Sequence, residues 1–181
     1  MEFFTIILLL IIIIGILAIF YILVYNHLQF SQTKIEKVEG KIDEDLREKY
    51  DLINKADSII KETLENKKDY LKEFINLKNE KISNFDLERK LKEAETLILT
   101  LYEDNKDLNK NEKMFEIKHE FKNINEKLVA GISYYNKHVN ETNNYIRKFP
   151  NNIIAKIHHF KIKPFFDGKD MTDTDINDFK L

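Results

Sequence analysis

The sequence contains no cysteine, only four glycines and only two prolines. The lack of cysteine excludes a disulfide framework, a thiolate zinc site, an iron–sulfur cluster and a cysteine nucleophile. Because glycine and proline are the main breakers of regular structure, their scarcity predicts a few long secondary-structure elements. The sequence also lacks a P-loop, a dinucleotide-binding fingerprint and the glycine-flanked serine of hydrolases.

Neither sign of charge dominates the chain. It has 29 lysines and arginines against 31 aspartates and glutamates, a formal net charge of −2. A chain with this balance has no overall field that would attract nucleic acid or another polyanion. We therefore predict no nucleic-acid partner. At 181 residues, the chain is long enough for one domain.

Charged residues are absent altogether from residues 3–25, FFTIILLLIIIIGILAIFYILVY. As a helix, this run is roughly 34 Å long, enough to cross a hydrocarbon core of about 30 Å. The alternative is a cleaved signal peptide, but its apolar region is shorter, follows lysine or arginine and precedes a small-residue cleavage site. Here only Glu2 precedes the run as a charged side chain. We predict a retained transmembrane anchor in residues 1–28, whose residues 3–25 contact the lipid bilayer.

Basic residues flank the apolar run on one side only. None precedes it, whereas Lys34, Lys37, Lys41, Arg47 and Lys49 follow it. The positive-inside rule then predicts a single-pass protein of the cell membrane, with its N-terminus outside and the bulk of the chain in the cytoplasm. The reversed topology, with the bulk of the chain facing the envelope, is the alternative.

Beyond the run, apolar residues recur at steps of three and four, the pattern of amphipathic helices and of coiled coils. The first helix is predicted to continue from the membrane span to Phe74, and Ser83, Asn84 and Asp86 are good cap residues ahead of the second. The polar residues 104–112 predict a turn. The apolar stripes of the three predicted helices are Ile35, Val38, Ile42, Leu46, Tyr50, Ile53, Ala56, Ile60, Leu64, Leu71 and Phe74, then Leu87, Leu91, Ala94, Ile98, Leu101 and Leu108, and then Phe115, Phe121, Ile124, Leu128, Ile132, Tyr135, Val139, Ile146 and Phe149.

Pro150 ends the third of these helices, and Asn151 or Asn152 is predicted to cap a short fourth helix over residues 153–160. We predict an all-α fold in which an antiparallel bundle of three long helices plus a short fourth helix, residues 29–166, follows the transmembrane helix. Residues 167–181 are acidic and lack periodicity, which predicts a disordered tail.

Candidate metal ligands do not complete any known pattern. His119 and Glu120 begin an HExxH-like motif, but Asn123 stands where the second histidine belongs. Glu116 and His119 form one Glu-x-x-His unit, whereas a di-iron bundle needs two. We predict no metal and no cofactor, and we interpret His119 as a core or surface residue.

Two other patterns have an ordinary explanation. Asp173, Asp175 and Asn177 resemble the start of a calcium loop, but Asp178 takes the place of the required glycine. A solvated acidic tail is therefore preferred. The histidine pair at 158–159 lies among lysines, which indicates a basic helix end, with a pH-sensitive or anionic-lipid contact as the alternative.

The asparagine-rich segment 134–152, YYNKHVNETNNYIRKFPNN, raises the question of a ligand site. Tyr135, Val139, Ile146 and Phe149 keep the helical spacing, so we predict that the segment is first of all bundle core. Its asparagines lie on other faces, where their amides can pair with neighbouring groups. The Phe149-Pro150-Asn151 sequence predicts a hinge that folds the fourth helix back onto the bundle.

Several motifs together resemble the LemA family, a bacterial group with an N-terminal membrane helix and a helical bundle. The chain is similar to the family's YNxLV just after the span, to its IDxxLxRRxDLI segment, and to its C-terminal series YN, FP and FF. It departs at Asn54-Lys55, where the family has Pro-Asn. The residues that carry the resemblance are Tyr25, Asn26, Asp43, Asp51, Tyr135, Asn136, Phe149, Pro150, Phe165 and Phe166.

The resemblance spans residues 20–167 and implies membrane attachment and a bundle fold. It implies no established enzyme activity and therefore supplies no catalytic residues. We predict a non-enzymatic interaction or scaffold module with protein partners; whether it forms a homo-oligomer is left open. The alternative is a membrane-tethered enzyme with a site among Glu116, His119, Tyr135 and Asn136.

Overall fold

The computed structural model describes residues 2–64, 70–75, 77 and 82–167. Within these residues all regular structure is helical, which confirms the predicted all-α fold. The predicted disordered tail and its calcium-loop-like Asp173, Asp175 and Asn177 lie outside the described residues, apart from Asp167. The helices are α1 (Glu2–Leu64), α2 (Lys72–Ile75), α3 (Asn84–Asp104), α4 (Lys106–Asn109), α5 (Glu112–Arg147) and α6 (Asn151–Ile157).

Helix α1 joins the apolar run and the first amphipathic stripe without interruption, as the lack of a breaker predicts. An 18-residue window within it has a mean hydropathy of 3.5, and none of that window is buried. The helix is thus long and apolar enough to cross a membrane. The prediction that it extends to Phe74 is wrong, because α1 ends at Leu64. Residues 72–75, which include Phe74, instead form the separate helix α2.

Two other helix boundaries also test the sequence reasoning. Ser83 is the N-cap of α3, and its hydroxyl accepts a hydrogen bond from the Asp86 backbone N–H at 3.1 Å, as predicted. The expected turn over residues 104–112 instead contains the one-turn helix α4. Its Leu108 is fully buried, and this single apolar anchor holds the otherwise polar connection against the bundle.

The described contacts divide the chain into two compact units. Of the described residues, the first unit comprises 2–37 and 136–165, and the second comprises 38–64, 70–75, 77, 82–135, 166 and 167. Helices α1 and α5 contribute residues to both units.

In the second unit, α5 runs antiparallel to both α1 and α3. A Cβ placed on Gly131 would lie 3.2 Å from Ile42, whereas at the other end Asn111 donates a hydrogen bond to Thr63 at 3.1 Å. Rising numbers in α1 thus meet falling numbers in α5. Gly131 permits this close approach because it has no side chain. The Asn125 amide of α5 donates a hydrogen bond to Glu95 of α3, whereas the Lys118 ammonium lies 5.1 Å from the Tyr102 ring centroid, so α3 has the same antiparallel relation to α5.

Helices α1 and α3 therefore run in the same direction. The Tyr50 hydroxyl donates a hydrogen bond to the Ile75 carbonyl, so α2 lies beside the middle of α1 rather than beyond its end. From there α3 starts again in the direction of α1. The expectation that a short connection makes two helices antiparallel neighbours holds for α3 and α5, which are joined through α4. It does not hold for α1 and α3, which are joined through α2.

Most of the predicted stripe residues form the core of the second unit. Phe115 does not, since 53% of its surface is exposed, and the buried residues of that turn are Met114 and Ile117. The stripe of α5 is therefore offset by one position at its start. The stripe residues of this unit that are at most 3% exposed are Ile42, Leu46, Ile53, Ala56, Ile60, Leu71, Leu91, Ala94, Ile98, Leu108, Phe121, Ile124 and Leu128.

In the first unit, α6 packs back onto α1 and the end of α5, as the hinge prediction requires. The core cluster of this unit consists of Val24, Leu28, Ile146, Ile154 and Ala155, with Tyr25, Tyr145 and Phe160 packed against it. The Phe149–Pro150 peptide bond between α5 and α6 is cis.

Two details of this hinge differ from the prediction. Phe149 is 80% exposed and is not a core residue, because α5 ends two residues earlier at Arg147. Pro150, not an asparagine, stands at the N-cap of α6. The Asn151 amide instead donates a hydrogen bond to the Tyr145 carbonyl at 3.3 Å.

Candidate functional site

The motif residues named from the sequence fall into both compact units. In the first unit, the Tyr25 ring lies 4.7 Å from the His158 ring, while Asn26 is exposed and Asn136 is partly buried. Pro150 and Phe165 are also partly buried there. These residues of the first unit thus take part in packing or lie on its exposed surface.

In the second unit, two of the motif residues meet in an aromatic cluster. The Phe166 ring centroid lies 6.5 Å from that of Tyr135 and 6.2 Å from that of Phe85, both with edge-on geometry. Burial, and then the negative charge of Glu39, raise the pKa of the Tyr135 phenol above its ordinary value. Both causes act against ionisation of the phenol, so it stays neutral to a higher pH than an ordinary tyrosine.

The two acidic motif residues lie on α1 of the same unit. Asp43 accepts a hydrogen bond from the Arg47 guanidinium at 2.9 Å, one helical turn away. Asp51 is exposed. An exposed pair of this kind adds at most about 1 kcal/mol to stability.

The residues proposed for an enzyme site are far apart. Glu116 and His119 are exposed on α5, where the His119 ring packs edge-on against Phe115. Tyr135 lies 16 residues further along the same helix, which is roughly 24 Å at 1.5 Å per residue. Among the described residues, no group of three or more histidines and carboxylates is placed to hold a metal ion.

A buried polar network joins the three long helices of the second unit. The Lys49 ammonium of α1 donates hydrogen bonds to Glu95 Oε2 of α3 and to Asn125 Oδ1 of α5, both at 2.8 Å. The Asn125 Nδ2 group donates to Glu95 Oε1 at 2.7 Å, which closes the ring. Lys49 is only 1% exposed and Glu95 only 8%. We call these three residues the buried network.

The buried network was not predicted from the sequence, although a signal was present. Each member lies inside an apolar stripe, flanked three or four residues away on both sides by core residues. Lys49 lies between Leu46 and Ile53, and Asn125 lies between Phe121 and Leu128. Glu95 has the same relation to Leu91 and Ile98. A polar residue at such a position on each of three helices predicts that the three side chains pair with one another.

A groove opens beside the buried network, between α3 and α5. It encloses about 670 Å³ and has an apolar centre formed by Leu99, Val129 and Ala130. Val129 is 70% exposed. Lys118 and Lys122 lie toward one end, and the remaining lining residues are Glu95, Asn125, Glu126 and Ser133. Two members of the network thus form part of the groove wall, and they fix the distance between its two helices.

The first unit has its own buried polar contact, at the asparagine-rich end of α5. The Asn143 Nδ2 group donates to the Lys163 carbonyl at 2.7 Å, and the Lys163 backbone N–H donates to Asn143 Oδ1 at 3.0 Å. Asn143 is 1% exposed. Its amide therefore holds the extended chain after α6 against α5 as a neighbouring backbone would. This confirms that asparagines of the segment pair with the chain reversal.

Comparison with known proteins gives one match. A family model described as the LemA family matches residues 39–177, which is more than half of the chain. No curated protein and no solved structure matches it. The matched residues include the buried network, the groove beside it and the contact between Asn143 and Lys163.

Proposed function

This chain belongs to the LemA family, and from that premise we propose that it is a single-pass cell-membrane protein with a cytoplasmic interaction module. The anchor is the apolar part of α1, and the module is the helical bundle. The observation that carries the proposal is the groove between α3 and α5, where Val129 is 70% exposed beside two lysines.

The groove fits an amphipathic helix of a partner protein. Its apolar centre offers Leu99, Val129 and Ala130 to the apolar face of such a helix. Lys118 and Lys122 then lie where acidic side chains of the partner would meet them, and this charge complementarity sets the direction of binding. The buried network gives this site a fixed width before binding, which reduces the ordering cost of association.

We expect a photoreactive amino acid at Ala130 of the full-length protein to form a cross-linked adduct in cells. The same group at Phe115, also exposed on α5 but outside the groove, serves as the matched control. Adding Val129→Glu should lower the yield at Ala130 by about tenfold or more, because the partner's apolar face would then bury an unpaired carboxylate. Mass spectrometry of the adduct should identify an acidic amphipathic helix.

Two outcomes would contradict this proposal. Equal yields at Ala130 and Phe115 would mean that the groove has no special affinity. An adduct of twice the chain mass would mean that a second copy of this chain occupies the groove, and the protein would then be a homo-oligomer rather than a partner-binding module.

The cytoplasmic placement predicts a second result. A green fluorescent protein fused to the C-terminus should be fluorescent, and alkaline phosphatase at the same position should be inactive, because that enzyme needs the oxidising exterior. The physical basis is the set of lysines that follows the span, of which Lys34 and Lys37 are the nearest. Replacing both by glutamine should weaken the preference, and an active phosphatase fusion on the unmodified chain would support the reversed topology.

A membrane-tethered enzyme stays the alternative proposal. Its site would have to use Glu116 and His119 separately from Tyr135, given their separation along α5. Loss of a reaction in His119→Ala, with the cross-linking at Ala130 unchanged, would support the enzyme, because the interaction proposal assigns no role to His119.

A further inference from the structure

Helix α6 exposes an apolar face that the bundle does not cover. Ile153 and Ile157 lie one turn apart in this helix and are 51% and 59% exposed. Phe149, immediately before the cis proline, is 80% exposed. The opposite face of the helix, Ile154 and Ala155, is buried in the core of the first unit. α6 is therefore apolar on both faces, and only one of them is occupied within the unit.

The position of α6 along α1 is fixed by aromatic contacts. His158 is the residue directly after α6. Its Nε2 atom forms a hydrogen bond with the Tyr21 hydroxyl, and its ring centroid lies 4.7 Å from that of Tyr25. Phe160 also packs edge-on against Tyr25. Tyr21 lies one turn, roughly 6 Å, inside the end of the apolar run at Tyr25. The end of α6 that carries Ile157 is thus level with the last turns of the proposed membrane span.

The sequence segment that contains α6 carries charge of one sign. From Thr142 to Lys163 the sequence contains no aspartate or glutamate. The cations of this segment are Arg147, Lys148, Lys156, Lys161 and Lys163. Of these, Arg147, Lys148, Lys156 and Lys161 are exposed. Exposed apolar side chains flanked by lysines are typical of a helix that lies in the interface of an anionic bilayer.

We propose that α6 is a second membrane contact, which lies in the headgroup region where α1 leaves the bilayer. Phe149, Ile153 and Ile157 enter the acyl boundary, and Lys148 and Lys156 meet lipid phosphates. The partner is the lipid surface because Tyr21 and Tyr25, in the last turn of the apolar run, contact His158, the residue directly after the exposed Ile157. This inference rests on the proposed membrane span.

The chain has no tryptophan, so a single introduced tryptophan reports its own surroundings. The full-length protein is reconstituted in vesicles of phosphatidylglycerol, with or without bromine on the acyl chains. Bromine quenches tryptophan fluorescence only at contact range. The variants are Ile153→Trp in α6, Ile11→Trp in the span, and Asn140→Trp on the exposed surface of α5 in the same unit.

We expect quenching of Ile11→Trp and Ile153→Trp by brominated lipid, and no quenching of Asn140→Trp. If Ile11→Trp is not quenched, the proposed membrane span itself fails. If Ile11→Trp is quenched and Ile153→Trp behaves like Asn140→Trp, the span stands and the inference about α6 is overturned. Ile157→Trp repeats the measurement should Ile153→Trp lose its helical circular dichroism signal.

The charge half of the inference has its own measurement. Replacing phosphatidylglycerol by phosphatidylcholine should reduce the quenching of Ile153→Trp by about twofold or more, because each lysine near an anionic surface contributes about 1 kcal/mol. The quenching of Ile11→Trp should not change. Equal quenching of Ile153→Trp in both lipids would overturn the role of the lysines.

Discussion

Replacing Lys49 by methionine is expected to lower the free energy of unfolding by about 3–5 kcal/mol. The ammonium is 1% exposed and donates to both Glu95 and Asn125 at 2.8 Å. Methionine fills a similar volume but leaves the Glu95 carboxylate buried without a counter-charge. The loss should therefore come from the uncompensated charge rather than from a cavity. Chemical denaturation of the detergent-solubilised protein, followed by circular dichroism, measures it.

Lys127 provides the matched control on the same pair of helices. It pairs with Glu48 at 3.2 Å, but the side chains are 50% and 51% exposed. Lys127→Met should therefore cost no more than about 1 kcal/mol. Equal losses in the two lysine variants would show that the buried network contributes nothing special to stability.

The triple variant Lys49→Met, Glu95→Leu and Asn125→Leu separates stability from function. It removes every polar group of the network at once, so its free energy of unfolding should return to within about 1 kcal/mol of the parent chain. Cross-linking at Ala130 should nevertheless fall, because the polar ring that sets the groove width is gone. Undiminished cross-linking would mean that packing alone positions α3 against α5.

Replacing Asn143 by leucine is expected to cost about 2–3 kcal/mol. The variant removes both hydrogen bonds to the Lys163 backbone, and the buried amide has no equivalent in leucine. The extended chain after α6 should then separate from α5 more often. Hydrogen exchange of the peptide containing residues 160–165 should become roughly tenfold faster, since this segment opens locally without the whole unit unfolding.

The neighbouring residue supplies the control for this second variant. Asn144 is exposed, and its amide donates only to Asn140 one turn earlier, at 3.1 Å. Asn144→Leu should change stability by less than about 0.5 kcal/mol and leave the exchange of residues 160–165 unchanged. Similar exchange rates in the two variants would contradict the role assigned to Asn143.

The helices and the candidate membrane span could be predicted from the sequence because both depend on local pattern. An uncharged run such as residues 3–25 is long enough to span a bilayer whatever surrounds it. A step of three and four places Ile42, Leu46 and Ile53 on one face of a helix before any partner is known. The family resemblance rests on short motifs that are also local, and the family match confirms it.

Errors arose where the local pattern continued past the real end of an element. Phe149 keeps the helical spacing of α5 but is exposed, since the helix has already ended at Arg147. Phe115 lies six residues before Phe121 and is exposed, whereas Met114 and Ile117 are the residues that face the core. Steps of three and four lead back from Phe121 to Ile117 and Met114, so the spacing did carry this signal, whereas it could not show that α5 ends before Phe149.

By itself, the sequence determined that this protein is helical, that its N-terminal run is apolar enough to cross a membrane, and which residues repeat along each helix. Only the tertiary structure decided what its polar residues do. Lys49 could have extended its ammonium into water, and Asn143 could have remained on a helix surface. Their partners lie at Glu95, Asn125 and Lys163, far along the chain, and a buried polar group acquires its role from the particular groups that folding brings to it.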